Sequence, residues 1–88
     1  MTTKLPLHVA PIQVKEDLEL LKIGDCVKVS VGKAGEGSES FWVQIISMDG
    51  DTITGEVNNQ LVYSAYHGYV NGETITFSFS NIFQIYLF

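Results

Sequence analysis

Short segments that alternate apolar and polar side chains, each bounded by glycine, decide which folds are open to this chain. Val27, Val29 and Val31 alternate with Cys26, Lys28 and Ser30, the period of a half-buried strand. A second strand is expected over 41–48, with Phe41, Val43 and Ile45 on one face and Trp42, Gln44, Ile46 and Met48 on the other. Both faces are substantially apolar, which predicts a strand covered on both sides. Asp49-Gly50 then predicts a tight hairpin, and 52–57 returns with Ile53, Gly55 and Val57 in register. Gly55 inside that returning strand predicts a bulge or a close backbone approach. A last long strand is expected over 74–80, with Ile75, Phe77 and Phe79 facing one way and Thr76 and Ser78 the other. After Ser80-Asn81 the segment 82–88 is almost wholly apolar. It predicts core, with some pairing to another copy along its edge.

The remaining segments are shorter. Residues 1–13 contain Pro6 and Pro11, and proline disfavours helix at itself and at the preceding residue, so an extended arm or first edge strand is expected there. Val14, Leu18 and Leu21 fall at helical spacing, which predicts one short helix over 14–22, closed near Gly24. The run 32–40 holds three glycines and no large apolar side chain, the composition of a surface loop. Asn58-Asn59-Gln60 reads as a turn, 61–63 as a short strand and 66–69 as a loop. The expected architecture is mainly β (α+β): a small, strongly bent antiparallel sheet or an SH3-like, partly open barrel with one short N-terminal helix. One domain is expected over 14–88, preceded by the arm.

Two segments echo one another. Gly24-Asp25 leads into the first alternating strand, and Gly72-Glu73 leads into the last. With only two copies, the expectation is two strands that begin from similar turns and not an internal repeat.

Composition narrows function. Of 88 residues 45% are hydrophobic, enough for a dense core in a small domain. Five lysines face ten acidic residues, for a net charge of −5, and arginine is absent. Nucleic-acid binding draws on cations and on the guanidinium fork, so it is not expected. No apolar run reaches the roughly 20 residues of a membrane-spanning helix, and no signal peptide is read at the start. The lone Cys26 cannot form an intramolecular disulfide, which makes a cytoplasmic setting the default.

The segments Ile23-Gly24-Asp25-Cys26-Val27-Lys28-Val29, Phe41-Trp42-Val43 and Gly72-Glu73-Thr74-Ile75-Thr76-Phe77 follow one another in an order that resembles the small bacterial YegJ-like domain of unknown function. The resemblance covers about residues 14 to 86. It implies a helix leading into a Gly-Asp strand, then an aromatic-Trp-Val strand after a loop. A glycine-containing strand with asparagine and a closing Gly-acid strand follow, and then an isoleucine, here Ile82. The chain departs from that pattern at Ser40, where a basic residue is frequent, and at Asn58-Asn59-Gln60, where the proline of an Asn-x-Pro turn is missing.

Catalytic and metal chemistry are not expected. His8, His67 and Cys26 are too few and too scattered for the usual zinc spacings, and a cysteine inside a strand is more often a small buried apolar residue than a nucleophile. Asp49 and Asp51 flank a turn glycine, where carboxylates serve turn geometry. No cofactor is implied. The aromatic set Tyr63, Tyr66, His67 and Tyr69 falls in a segment with too little periodicity to be wholly core, and tyrosine suits recognition surfaces. Trp42 is expected in the core first and in a site second. The leading expectation is a non-catalytic module that binds a protein, an adaptor, inhibitor or immunity-type antagonist, through an acidic aromatic surface suited to a basic partner. The alternative is a binder that sequesters a small nucleotide-like ligand. There Trp42 or the tyrosines would stack on the base, and Asn58, Asn59 and Lys33 would hold polar edges and phosphate.

Overall fold

The computed structural model describes residues 4–10, 18–33 and 37–86. Five antiparallel strands form one open sheet: β1 (Cys26–Val31), β2 (Glu39–Asp49), β3 (Thr52–Val57), β4 (Thr74–Ser78) and β5 (Gln84–Tyr86). Their order across the sheet is β4-β3-β2-β1-β5. A four-residue helix, α1 (Ser64–His67), lies between β3 and β4, and a 3₁₀ turn (Phe79–Asn81) lies between β4 and β5. The barrel is not closed, yet the sheet is curled. Laid flat, five strands spaced ~4.8 Å apart would separate the edge strands by roughly 19 Å. The path from Ser78 to Gln84, half of it wound at ~2 Å per residue, reaches only about 16 Å.

The alternation places Val27, Val29, Val31, Phe41, Val43, Ile45, Ile53, Val57, Ile75 and Phe77 in one buried cluster on the inner face. The outer face is open, contrary to the expectation that β2 is covered on both sides: Gln44 and Ile46 are exposed and Trp42 is half-buried. Trp42 pairs with Lys28 across the strands, and the Lys28 ammonium stands 5.3 Å from its ring centroid, a cation–π contact that covers the indole from outside. Met48 is also not where strict alternation puts it. The β2–β3 register shifts between Ile45 and Ser47. The extra residue of this bulge leaves Ser47 outward beside Ile46 and brings Met48, opposite Ile53, back toward the core. Gly55 lies opposite Ile45 beside the bulge. A Cβ there would collide with the Val43 side chain and lie 2.8 Å from the Gln44 carbonyl oxygen.

The two Gly-acid segments form the same turn twice. Gly24 and Gly72 take φ of 100° and 90°, in the left-handed region that glycine alone enters freely. In each turn the acid accepts the backbone N–H three residues back, Lys22 to Asp25 at 3.0 Å and Val70 to Glu73 at 2.7 Å. Each then docks on the neighbouring strand in the same way: Gly24 N–H to the Ile45 carbonyl with Ile45 N–H to Asp25, and Gly72 N–H to the Val57 carbonyl with Val57 N–H to Glu73. A lysine closes each from outside, Lys22 on Asp25 and Lys4 on Glu73. The sequence echo is thus a shared way of starting a strand.

Other segments differ from expectation. Residues 61–63 form no strand, because Glu39 takes the N–H groups of Val62 and Tyr63 that a ladder would use. Residues 64–67 are helical, which takes in Tyr66 and His67 of the loop expected over 66–69. The strand expected over 74–80 stops at Ser78, where the Asn81 side chain accepts the Ser78 N–H and opens the 3₁₀ turn. Within 82–86, Ile82 is core, but Phe83 and Tyr86 are exposed. Residues 14–17 of the expected helix and residues 1–3 and 11–13 of the arm lie outside the described residues, as do 34–36 and 87–88. Leu18 and Glu19 are helical, and Leu21 is buried.

The arm, as seen over residues 4–10, is extended and adds to the free edge of β1. Leu7 bridges Val31, His8 N–H donates to Ser30, and Ala10 N–H reaches on to Ser80 beside the 3₁₀ turn. The same edge of β1 is paired over Cys26, Val27 and Lys28 with β5.

Gly55→Ala is expected to lower unfolding stability by about 1–3 kcal/mol, because the methyl group must displace Val43 and strand backbone; urea denaturation of the variant against the parent measures it.

Candidate functional site

The residues expected to form one site lie in three places. Asn58 and Asn59 extend the strand pairing past β3. Asn58 N–H donates to the Trp42 carbonyl at 2.9 Å, and the Asn59 side-chain oxygen accepts the Trp42 N–H at 3.3 Å. The donors of Asn59 are engaged within the protein: its N–H goes to Asn71 at 3.1 Å and its side-chain amide to the Gln60 carbonyl at 2.7 Å. These two residues and Trp42 form the first group. His67 and Tyr69 form the second, in the core. Tyr63 and Tyr66 form the third, at the surface near Lys33.

The second group is organised by Glu39, which the sequence does not single out. Its carboxylate accepts three N–H groups: Val62 at 3.1 Å, Tyr63 at 2.8 Å and His67 Nε2 at 2.5 Å. Helix α1 has no side-chain cap; the Glu39 carboxylate instead fixes the two residues that lead into it and places a negative charge at its N-terminal end. His67 is fully buried. Its Nδ1 accepts the Tyr69 backbone N–H at 3.1 Å, so the ring proton sits on Nε2, where it is donated to Glu39. Both nitrogens are occupied, which leaves none to act as a base toward a substrate. Cys26 lies on the outer face of the sheet, opposite this core. Partial burial, helped by the Asp25 charge, pushes its thiol pKa up, which disfavours the thiolate.

Burial alone would raise the Glu39 pKa. The hydrogen bonds from His67, Tyr63 and Val62, with the adjacent imidazole, outweigh it and hold the carboxyl below its ordinary value. Tyr69 packs against Phe41 and His67 with ring centroids 5.6 and 5.7 Å away. Its hydroxyl donates to the Leu5 carbonyl at 2.7 Å, and burial, then the Glu73 charge, raises its pKa. Lys4 crosses over the Tyr69 ring, donates to the Gly68 carbonyl at 2.7 Å and pairs with Glu73. Glu39 and Tyr69 thus fasten α1 and the arm to the sheet.

The third group is exposed. Val62 is 79%, Tyr63 46% and Tyr66 40% accessible, and the two rings lie over Gly37, where a Cβ would stand 2.9 Å from Tyr66 and 3.4 Å from Tyr63. Glycine at this point lets the rings rest on the loop backbone. The carboxylates placed by the fold divide between internal partners and a distant end of the sheet. Glu39 and Glu73 are engaged internally, and Asp49 and Asp51 sit at the far end of β2, roughly 30 Å along the strand. Beside Tyr66 is instead a cleft of about 340 Å³ lined by Leu5, Pro6, His8, Gly32, Lys33 and Tyr66. His8 is the other residue that sequence reasoning passes over; its Nε2–H donates to the Gly32 carbonyl at 2.6 Å. An apolar recess is lined by Leu18, Glu19, Leu21, Met48 and Phe79.

Among the described residues no group of three metal-ligating side chains is present, and no helix is long and apolar enough to cross a membrane. Comparison with family models, with curated proteins and with solved structures finds no match.

Glu39→Gln is expected to cost about 1–3 kcal/mol, since the buried His67 N–H and two backbone donors lose a charged acceptor. The pH dependence has a definite sign. A depressed carboxyl adds stability that is complete above the ordinary value of 4.5 and is lost as pH falls through its lower folded value. Urea midpoints measured from pH 6 to pH 2 are expected to fall less steeply in Glu39→Gln than in the parent.

Proposed function

We propose that the protein is a non-catalytic binding module that engages a protein partner through the turn at residues 62–66. The observation that carries this reading is the exposure of Val62, Tyr63 and Tyr66 on a short turn whose backbone is pinned from beneath by Glu39. Rigid aromatic side chains on an ordered turn contribute contact area with little loss of rotamer freedom. The partner contributes apolar and aromatic contacts at this face. The basic partner suggested by net charge would be drawn first toward Asp49 and Asp51, so steering and contact fall on different parts of the surface. The nucleotide-sequestering site formed from Trp42, Asn58 and Asn59 with the tyrosines is disfavoured, because those residues stand apart.

A non-catalytic role is supported by the internal use of both His67 nitrogens and of Glu39. The strand order, with a 3₁₀ turn carrying the chain from one edge strand to the other, favours an SH3-like, partly open barrel as the parent architecture. Kinship with the YegJ-like domain is part of the same proposal: both of its Gly-acid motifs fall on the twin turns that open β1 and β4.

The test is affinity capture from cell extract with the parent and with Tyr63→Ser/Tyr66→Ser, with unfolding midpoints checked in parallel. A protein recovered in stoichiometric amount by the parent is expected to bind the double variant at least roughly tenfold more weakly. Equal recovery of the same proteins by both would reject the turn as the contact face.

A further inference from the structure

The cleft beside Tyr66 brings together a different set of residues from the one expected. Lys33 and Tyr66 line it with His8, between an arm wall of Leu5 and Pro6 and the neck of the β1–β2 loop. We propose that this cleft binds a mononucleotide-sized aromatic anion, its ring against Tyr66 and its phosphate at Lys33.

Four observations lead there. The volume, about 340 Å³, stands at the lower end of the range for small-molecule sites and matches one base with its sugar and phosphate. Lys33 is exposed and has no ion-pair partner among the described residues. An ammonium on a flexible stem suits a phosphate, which it can meet as a point charge without the planar fork of arginine. The Tyr66 ring is half-open to solvent but rests on Gly37, so a stacking face is held in place before a ligand arrives. The walls are held as well. A Cβ on Gly32 would stand 2.8 Å from the Gly37 carbonyl oxygen and the Ser38 Cα, so the loop is pinched shut at its neck. The His8 Nε2–H to Gly32 hydrogen bond ties the arm to that same neck and leaves Nδ1 as a further polar atom for a base edge or hydroxyl.

This site does not depend on the protein-partner reading. The two share Tyr66 but differ at Tyr63 and Lys33, which separates their tests. The full chain, labelled with ¹⁵N, is titrated with adenosine monophosphate, with adenosine and with inorganic phosphate while amide shifts are followed. The expected result is saturable shifts at Gly32, Lys33 and Tyr66 with adenosine monophosphate, with a Kd below about 1 mM. Adenosine, lacking the charge, and phosphate, lacking the ring, each bind at least roughly tenfold more weakly. Lys33→Ala and Tyr66→Ala each weaken the nucleotide by a similar factor, and Tyr63→Ser leaves it unchanged. The proposal is overturned by absence of saturation, by shifts centred elsewhere, or by a response to phosphate alone that equals the response to nucleotide.

Discussion

The Glu39 carboxylate is the point on which the middle of this structure depends. A four-residue helix has no stability of its own, because nucleation fixes several residues for very few hydrogen bonds. Here the two backbone donors that lead into it, Val62 and Tyr63, and the buried imidazole of its last residue are all satisfied by one side chain from the start of β2. The consequences run outward in a chain. With Nε2 held by Glu39, His67 presents Nδ1 to the Tyr69 N–H and its carbonyl to the Leu5 N–H. Tyr69 in turn donates its hydroxyl to Leu5. A loop of little periodicity is thereby tied to the sheet on one side and to the arm on the other, and its outward side carries Tyr63 and Tyr66.

Much of the sheet is legible in the sequence because period-2 alternation is a local property. β1, the core face of β2, the hairpin at Gly50 and the close approach at Gly55 all follow from residues near one another in the chain. The twin Gly-acid turns are legible for the same reason: each is completed within four residues. The bulge is the instructive exception. It is a phase slip of one residue, and Met48 reads as an outer-face residue only while the alternation is assumed unbroken. Ile46 and Trp42 make the outer face look apolar enough to be covered, yet Trp42 is shielded by the Lys28 ammonium and Ile46 is left in water.

The aromatic segment was only half legible. Four rings within seven residues signal importance but not direction, and a single helical turn sends Tyr63 and Tyr66 outward while His67 and Tyr69 go into the core. What sorts them is Glu39, whose three donors lie 23 to 28 residues away in sequence. No local pattern announces that pairing, since a glutamate at the end of a glycine-rich run looks like an ordinary surface residue. His8 is hidden likewise, because its importance comes from an arm that crosses the loop after β1.

The edge of β1 shared by the arm and β5 also bears on how the molecule assembles. The meander from β2 to β4 can form from neighbours in sequence, with only the loop around α1 to close. β1 can join it through β2, but its other edge must wait for two distant segments, one from each side of the chain. During that interval a valine-rich strand displays unpaired backbone groups, the template on which a second unfinished chain can add. Self-association would then be a hazard of the half-folded protein at high concentration, sealed off in the native one by two short segments that neither fills the edge alone.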